Sequence, residues 1–105
     1  MKHQLFIYYR IPKADITLGL QCARRMATQL MQEGLGNSQL FQREETDKPY
    51  FTLMEVISPS PEYSDCTALF TEKLERIAAR CFADLPKLPS RQLELFTKLH
   101  GEVNG

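Results

Sequence analysis

The chain has 105 residues, 43% hydrophobic and 25% charged, the balance of an ordinary folded domain and far from that of disordered or fibrous chains. Its 13 basic and 13 acidic residues cancel, so no global field draws it towards phosphate backbones or anionic lipids, and neither nucleic-acid nor membrane partners are expected. No stretch of about 20 apolar residues could span a bilayer. The amino-terminal apolar run is also too short for a secretory signal and has no small-residue cleavage site after it. The sequence therefore reads as cytoplasmic.

The first apolar run, Leu5 to Tyr9, is rich in β-branched and aromatic residues and is stopped by Pro12, which predicts a strand. A helix should follow, capped by Asp15, because Ile16, Leu20, Ala23, Ala27 and Leu30 recur at steps of four and three. Arg24, Arg25, Thr28, Gln29 and Gln32 fall on its opposite side. Gly34 supplies a left-handed stop, so the helix should end near Glu33.

From Ser38 to Glu44 the pattern is that of a weaker strand. The ETDKP turn leads into Tyr50 to Ile57, YFTLMEVI, the strongest strand signal in the chain, and these two strands should pair as a hairpin. SPSPEYSD breaks the second of them and offers caps at Ser60, Ser64 or Asp65, with Pro61 suited to a first helical turn. A second helix to about Cys81 buries Cys66, Phe70, Leu74, Ile77 and Cys81, with Leu69 beside them, and leaves Glu72, Lys73, Glu75, Arg76 and Arg80 to water. After a loop with Pro86 and Pro89, Arg91 to Leu99 reads as a final strand, although the same letters also satisfy a short helix. No repeat, low-complexity tract or linker appears, so residues 1–99 are read as one domain and 100–105 as a frayed tail.

The order strand, helix, strand, strand, helix, strand is the split βαβ pattern of ferredoxin-like α+β domains, a four-stranded antiparallel sheet with two helices on one face. A lone domain of this kind should present a solvated second face. Here Phe6, Tyr8 and Arg10 oppose Leu5, Ile7 and Tyr9 in the first strand. Tyr50, Thr52, Met54 and Val56 oppose Phe51, Leu53 and Ile57 in the third. Both faces are largely apolar, and the economical cover for the second is another copy of the chain, giving a homodimer through the sheet face.

The combination IYYRIP, a helix ending in EGLG, then LFQRE, TLMEV and RQLELF resembles a small bacterial family of uncharacterised domains with a Tyr-Tyr-Arg strand and a Met-Glu-Val strand. More distantly the architecture is similar to the dimeric α/β-barrel superfamily, which includes antibiotic-biosynthesis-type monooxygenases, haem-degrading enzymes and lactone isomerases. The haem-degrading members' Asn, Trp and His constellation has no counterpart. The chain lacks tryptophan, and neither histidine falls in a clear strand or helix pattern, so no catalytic residue carries over.

Four charged residues lie in or beside predicted strands: Arg10, Arg43, Glu55 and Glu94. Any that face the interior should pair or meet a ligand, because an unpartnered buried charge is costly. Arg10 with Glu55 is the favoured pair, since the first strand normally lies beside the third, and Arg43 could then offer its planar fork to a carboxylate or phosphate. The ligand-binding candidates are thus Tyr8, Arg10, Arg43 and Glu55, weighed against a reading in which the charges are structural pairs or exposed strand ends. Hydroxyls of Tyr8, Tyr9 and Tyr50 could line a pocket, but tyrosines in sheets more often pack with the hydroxyl satisfied.

His3 and His100 lie near the chain ends without convergent partners, so no metal site is expected. Cys22, Cys66 and Cys81 form no CxxC pair and read as packing residues. No phosphate loop, nucleophile elbow or zinc-protease helix is present, and no motif asks for a cofactor. Two function classes remain: a homodimeric module that binds a small molecule or protein partner, and a cofactor-independent monooxygenase-like or isomerase-like enzyme acting on a small hydrophobic or anionic substrate.

Overall fold

The computed structural model describes residues 2–65 and 68–99. The elements in chain order are β1 (Lys2–Pro12), α1 (Ile16–Gln32), β2 (Gly36–Glu44), β3 (Tyr50–Pro59), α2 (Ala68–Cys81) and β4 (Gln92–Lys98), with single 3-10 turns at Lys13–Asp15 and Pro61–Tyr63. The strands form one sheet in the order β2-β3-β1-β4, and every pairing is antiparallel. This is the ferredoxin-like βαββαβ arrangement, with both helices on one face. Among the described residues no helix is long and apolar enough to cross a membrane.

The final element is a strand rather than a helix. Its alternation lets it pair with β1 from His3 opposite Thr97 to Tyr8 opposite Gln92, which satisfies the backbone groups that a short isolated helix would leave unpaired. The tail 100–105 and Cys66, like the His100 imidazole, lie outside the described residues.

Leu5, Ile7, Tyr9 and Ile11 of β1 and Leu53 and Ile57 of β3 point at the helices and are buried. Against them α2 buries Phe70, Leu74, Ile77, Ala78 and Cys81, as its spacing predicts, while Leu69 is exposed. The face of α1 is rotated from the predicted stripe: Gly19, Cys22, Ala23, Met26 and Leu30 are buried, whereas Ile16, Leu20 and Ala27 are half-buried. The cause is the close approach at Gly19, where a Cβ would stand 3.0 Å from Cγ2 of Ile11. Having no side chain there lets the helix settle onto β1 and turns Cys22 and Met26 inward.

Asp15 makes no side-chain cap bond. The chain enters α1 through the 3-10 turn instead of an extended residue, and the Lys13 amide donates to the Pro49 carbonyl at 2.9 Å. Beyond α1, Gly34 takes the predicted left-handed conformation, φ 70°. At Gly36, with φ 151°, a Cβ would lie 2.3 Å from the Ser58 carbonyl oxygen, so glycine alone fits where β2 begins beside β3.

Candidate functional site

The register fixes what each face of the sheet offers. Arg10 of β1 and Arg43 of β2 both stand opposite Thr52 of β3, forming one row across the sheet face away from the helices. The next row reads Gln92, Tyr8, Met54, Phe41, and the one beyond it Glu94, Phe6, Val56, Gln39. Phe41 and Phe96 on this face remain 49% and 53% exposed, and Phe6 meets Phe96 edge-on with ring centroids 5.0 Å apart.

The polar groups here form a short network. The Tyr8 hydroxyl donates to Glu94 Oε2 at 2.9 Å, and that bond, with lesser help from desolvation and from the Glu94 charge, raises the phenol pKa. Arg43 Nε and Thr52 Oγ1 both donate to Glu45 Oε2 at 2.7 Å, and these bonds hold the Glu45 carboxyl below its usual range. The Arg10 guanidinium lies 4.7 Å from the centre of the Tyr50 ring. Around the first row runs a depression of about 480 Å³ lined by Tyr8, Arg10, Arg43, Thr52 and Gln92, with Tyr9 and Ser90 at its border. A second of about 400 Å³ shares Tyr8, Arg43 and Thr52 and continues over Phe41 and Met54.

Three of the four residues nominated from the sequence, Tyr8, Arg10 and Arg43, therefore gather on the open face. Glu55 does not join them, and the predicted Arg10–Glu55 pair does not form. Glu55 stands opposite Ile7, in the same alternation as Leu53 and Ile57, so its carboxylate points under the helices while Arg10 points away from them. The partner is Arg91, immediately before β4. Arg91 Nη1 donates to Glu55 Oε2 at 2.8 Å and Nη2 to Oε1 at 3.1 Å, a two-pronged geometry that suits the planar fork. The two side chains are 7% and 1% exposed.

Tyr9 completes this buried cluster by donating its hydroxyl to Glu55 Oε2 at 2.6 Å. Desolvation, reinforced by the Glu55 charge and hydrogen bond, pushes the Tyr9 phenol far above its ordinary value. The Arg91 guanidinium lies 5.1 and 5.2 Å from the Tyr9 and Phe82 ring centres, and those rings meet edge-on. Burial works against the Arg91 charge, but the Glu55 bonds and charge outweigh it and hold its pKa above the usual guanidinium value. Among the described residues, Arg91 Nε has no hydrogen-bond partner. Glu55 and Arg91 line none of the described depressions, and Tyr9 alone of the cluster borders one, the depression beside Tyr8 and Arg10; the ion pair ties the loop before β4 to the sheet.

A larger depression, about 730 Å³, lies at the other end of the strands beside His3, Gln4, Ser58 and Ser60. Several of its polar groups are engaged with one another or with backbone, Gln4 with Ser58, Ser60 with the Gly34 carbonyl and His3 with Thr97, while Asn37, Ser64 and Lys98 also line it. His3 lies within β1, contrary to the sequence reading, yet among the described residues no cluster of three or more His, Cys, Asp or Glu side chains could hold a metal. Cys22 and Cys81 are buried free thiols, and burial pushes both thiol pKa values up.

The fold is shared with solved proteins of low sequence identity. A conserved protein of unknown function from Bacteroides thetaiotaomicron, described as a possible oxidoreductase, is 16% identical over 90% of this chain and 94% of its own, with a TM-score of 0.57. SnoaB, a cofactor-independent oxygenase from Streptomyces nogalater, is 13% identical over 99% of this chain and 100% of its own, with a TM-score of 0.51. A DUF3240-family protein from Shewanella baltica is 14% identical over 100% of this chain and 99% of its own, with a TM-score of 0.50. No protein-family model matches the chain and no curated protein matches its sequence. Likeness at this level establishes the ferredoxin-like fold and leaves function to be argued from the site.

Proposed function

We propose that the protein is a cytoplasmic homodimer whose two sheets face each other, and that the enclosed space around Tyr8, Arg10, Arg43 and Thr52 binds a small molecule. The observation that carries the reading is the open sheet face. Phe6, Tyr8, Phe41, Met54 and Phe96 stand on the side that carries no helix, where a lone domain of this fold would be solvated. Both helices, by contrast, turn most of their apolar residues to the core and leave only Met31 and Leu69 among the large ones well exposed. Pairing the open faces removes the exposed rings from water and converts the shared depression into an interior pocket of the size that small ligands use.

A second reading is a cofactor-independent enzyme in the same space, for which the Tyr8–Glu94 hydrogen bond supplies the specific support. A carboxylate already accepting a phenolic proton at 2.9 Å is an arrangement suited to proton transfer at a bound substrate. Native mass spectrometry of the purified protein tests the principal reading, because it reports subunit number and retained ligand together. A dimer carrying additional small-molecule mass supports it; a monomer without adduct at micromolar concentration contradicts it.

A further inference from the structure

The inference concerns which ligand the open face takes, and it rests on the ligand-binding reading above. Arg10 and Arg43 flank Thr52 in one row, so their Cα atoms are about 10 Å apart, twice the spacing of neighbouring strands. Two guanidinium charges held in one row repel each other, and an anion between or beside them relieves that repulsion. One carboxylate serves this row. Glu45 accepts from Arg43 through Nε and is also held by Thr52, while among the described residues Arg10 has no carboxylate within ion-pair distance and rests on the Tyr50 ring. Among the described residues, no hydrogen-bond partner takes the terminal nitrogens of either guanidinium, and both side chains line the 480 Å³ depression.

The other half of the groove has the opposite character. Where it continues past Arg43 and Thr52 it is walled by Phe41 and Met54, with Tyr8 shared between the halves. A flat aromatic face and a polarizable thioether favour a planar apolar body, and a guanidinium fork favours a carboxylate. We infer that the ligand of this face is an aromatic carboxylate, with its carboxylate between Arg10 and Arg43 over Thr52 and its ring on Met54 and Phe41 beside Tyr8.

The test uses the intact protein with 2-naphthoate, its neutral amide and acetate, followed by calorimetry and by amide chemical-shift mapping. The expected result is binding of 2-naphthoate with shifts centred on Tyr8, Thr52 and Met54. The neutral amide and acetate should each bind at least about tenfold more weakly, since each lacks one half of the recognition. Arg10→Gln and Arg43→Gln should each weaken 2-naphthoate by about tenfold and the amide by less than about twofold, while far-UV circular dichroism stays unchanged. Equal binding of acid and amide on this face would overturn the carboxylate inference and leave the ligand-binding reading intact. Absence of shifts on the open face with every compound overturns the inference, and if native mass spectrometry also finds no retained ligand, the binding reading goes with it.

Discussion

Glu55 and Arg91 hold each other through two near-parallel hydrogen bonds, 2.8 and 3.1 Å, in a part of the protein where almost no water reaches either side chain. The pair crosses β1 to join the central strand β3 to Arg91, the residue just before the edge strand β4. The Tyr9 hydroxyl fills in from β1 itself. A buried pair of this kind does not have to stabilise more than apolar residues would, but breaking it leaves an uncompensated charge.

Arg91→Met should therefore cost about 3–5 kcal/mol, measured by guanidinium chloride unfolding, because Glu55 would lose its partner in place. Replacing Glu55 with Leu in the same chain should recover most of that loss. Additive losses in the double variant would contradict the pairing.

Tyr9 makes the fold alkali-sensitive. Its phenol pKa is raised in the folded state, so the neutral form is favoured by folding. That contribution is fully present below the unfolded phenol value of about 10 and is lost progressively as the pH rises from there towards the folded value. Stability should thus fall above about pH 10, and ultraviolet titration should show the Tyr9 phenolate appearing only with unfolding. Tyr9→Phe should cost about 1.5–3 kcal/mol at neutral pH, the worth of a hydrogen bond to a charged group, and should flatten the alkaline decline. An unchanged decline in that variant would contradict this origin.

Arg10 should behave oppositely to Arg91. It lies exposed on the open face over the Tyr50 ring, so Arg10→Met should change stability by no more than about 0.5 kcal/mol, the range of surface substitutions. A loss as large as that of Arg91→Met would show that Arg10 has a buried carboxylate partner after all.

Cys22 and Cys81 should be inert in the native state. Both are buried with thiol pKa values raised by burial, which keeps the reactive thiolate scarce. A disulfide reagent should label them only as fast as the protein unfolds, and Cys22→Ala should cost about 1–3 kcal/mol through lost volume. Prompt labelling of either native thiol would argue for a chemical role.

Much of this architecture is legible in the letters. The β-branched and aromatic runs at Leu5 to Tyr9 and Tyr50 to Ile57, the Gly34 stop and the Phe70, Leu74, Ile77 stripe each carry a local physical cause, and together they order the elements. What was harder to read depended on distance. The rotation of α1 follows from the contact of Gly19 with Ile11, which no periodicity within the helix reveals. The partner of Glu55 did leave a signal: Glu55 shares the alternation of Leu53 and Ile57, and Arg91 that of Leu93 and Leu95, so both belong on the helix-facing side. Pairing Glu55 with Arg10 follows strand adjacency and overlooks that alternation, which sends the two residues to opposite faces. Tyr8, Arg10 and Arg43 were legible as neighbours because strand parity and the βαββαβ order suffice to align them.

If two chains meet through the open sheet face, light scattering of the native protein beside Met54→Glu will show it. Met54 lies in the middle of that face between Tyr8 and Phe41, where a charge would be trapped by pairing and harmless without it. The native protein should then scatter at twice the 12.1 kDa chain mass at micromolar concentration, and the variant as a folded monomer. A native monomer that stays soluble and binds no hydrophobic dye, or a dimer that Met54→Glu leaves intact, would contradict pairing through this face.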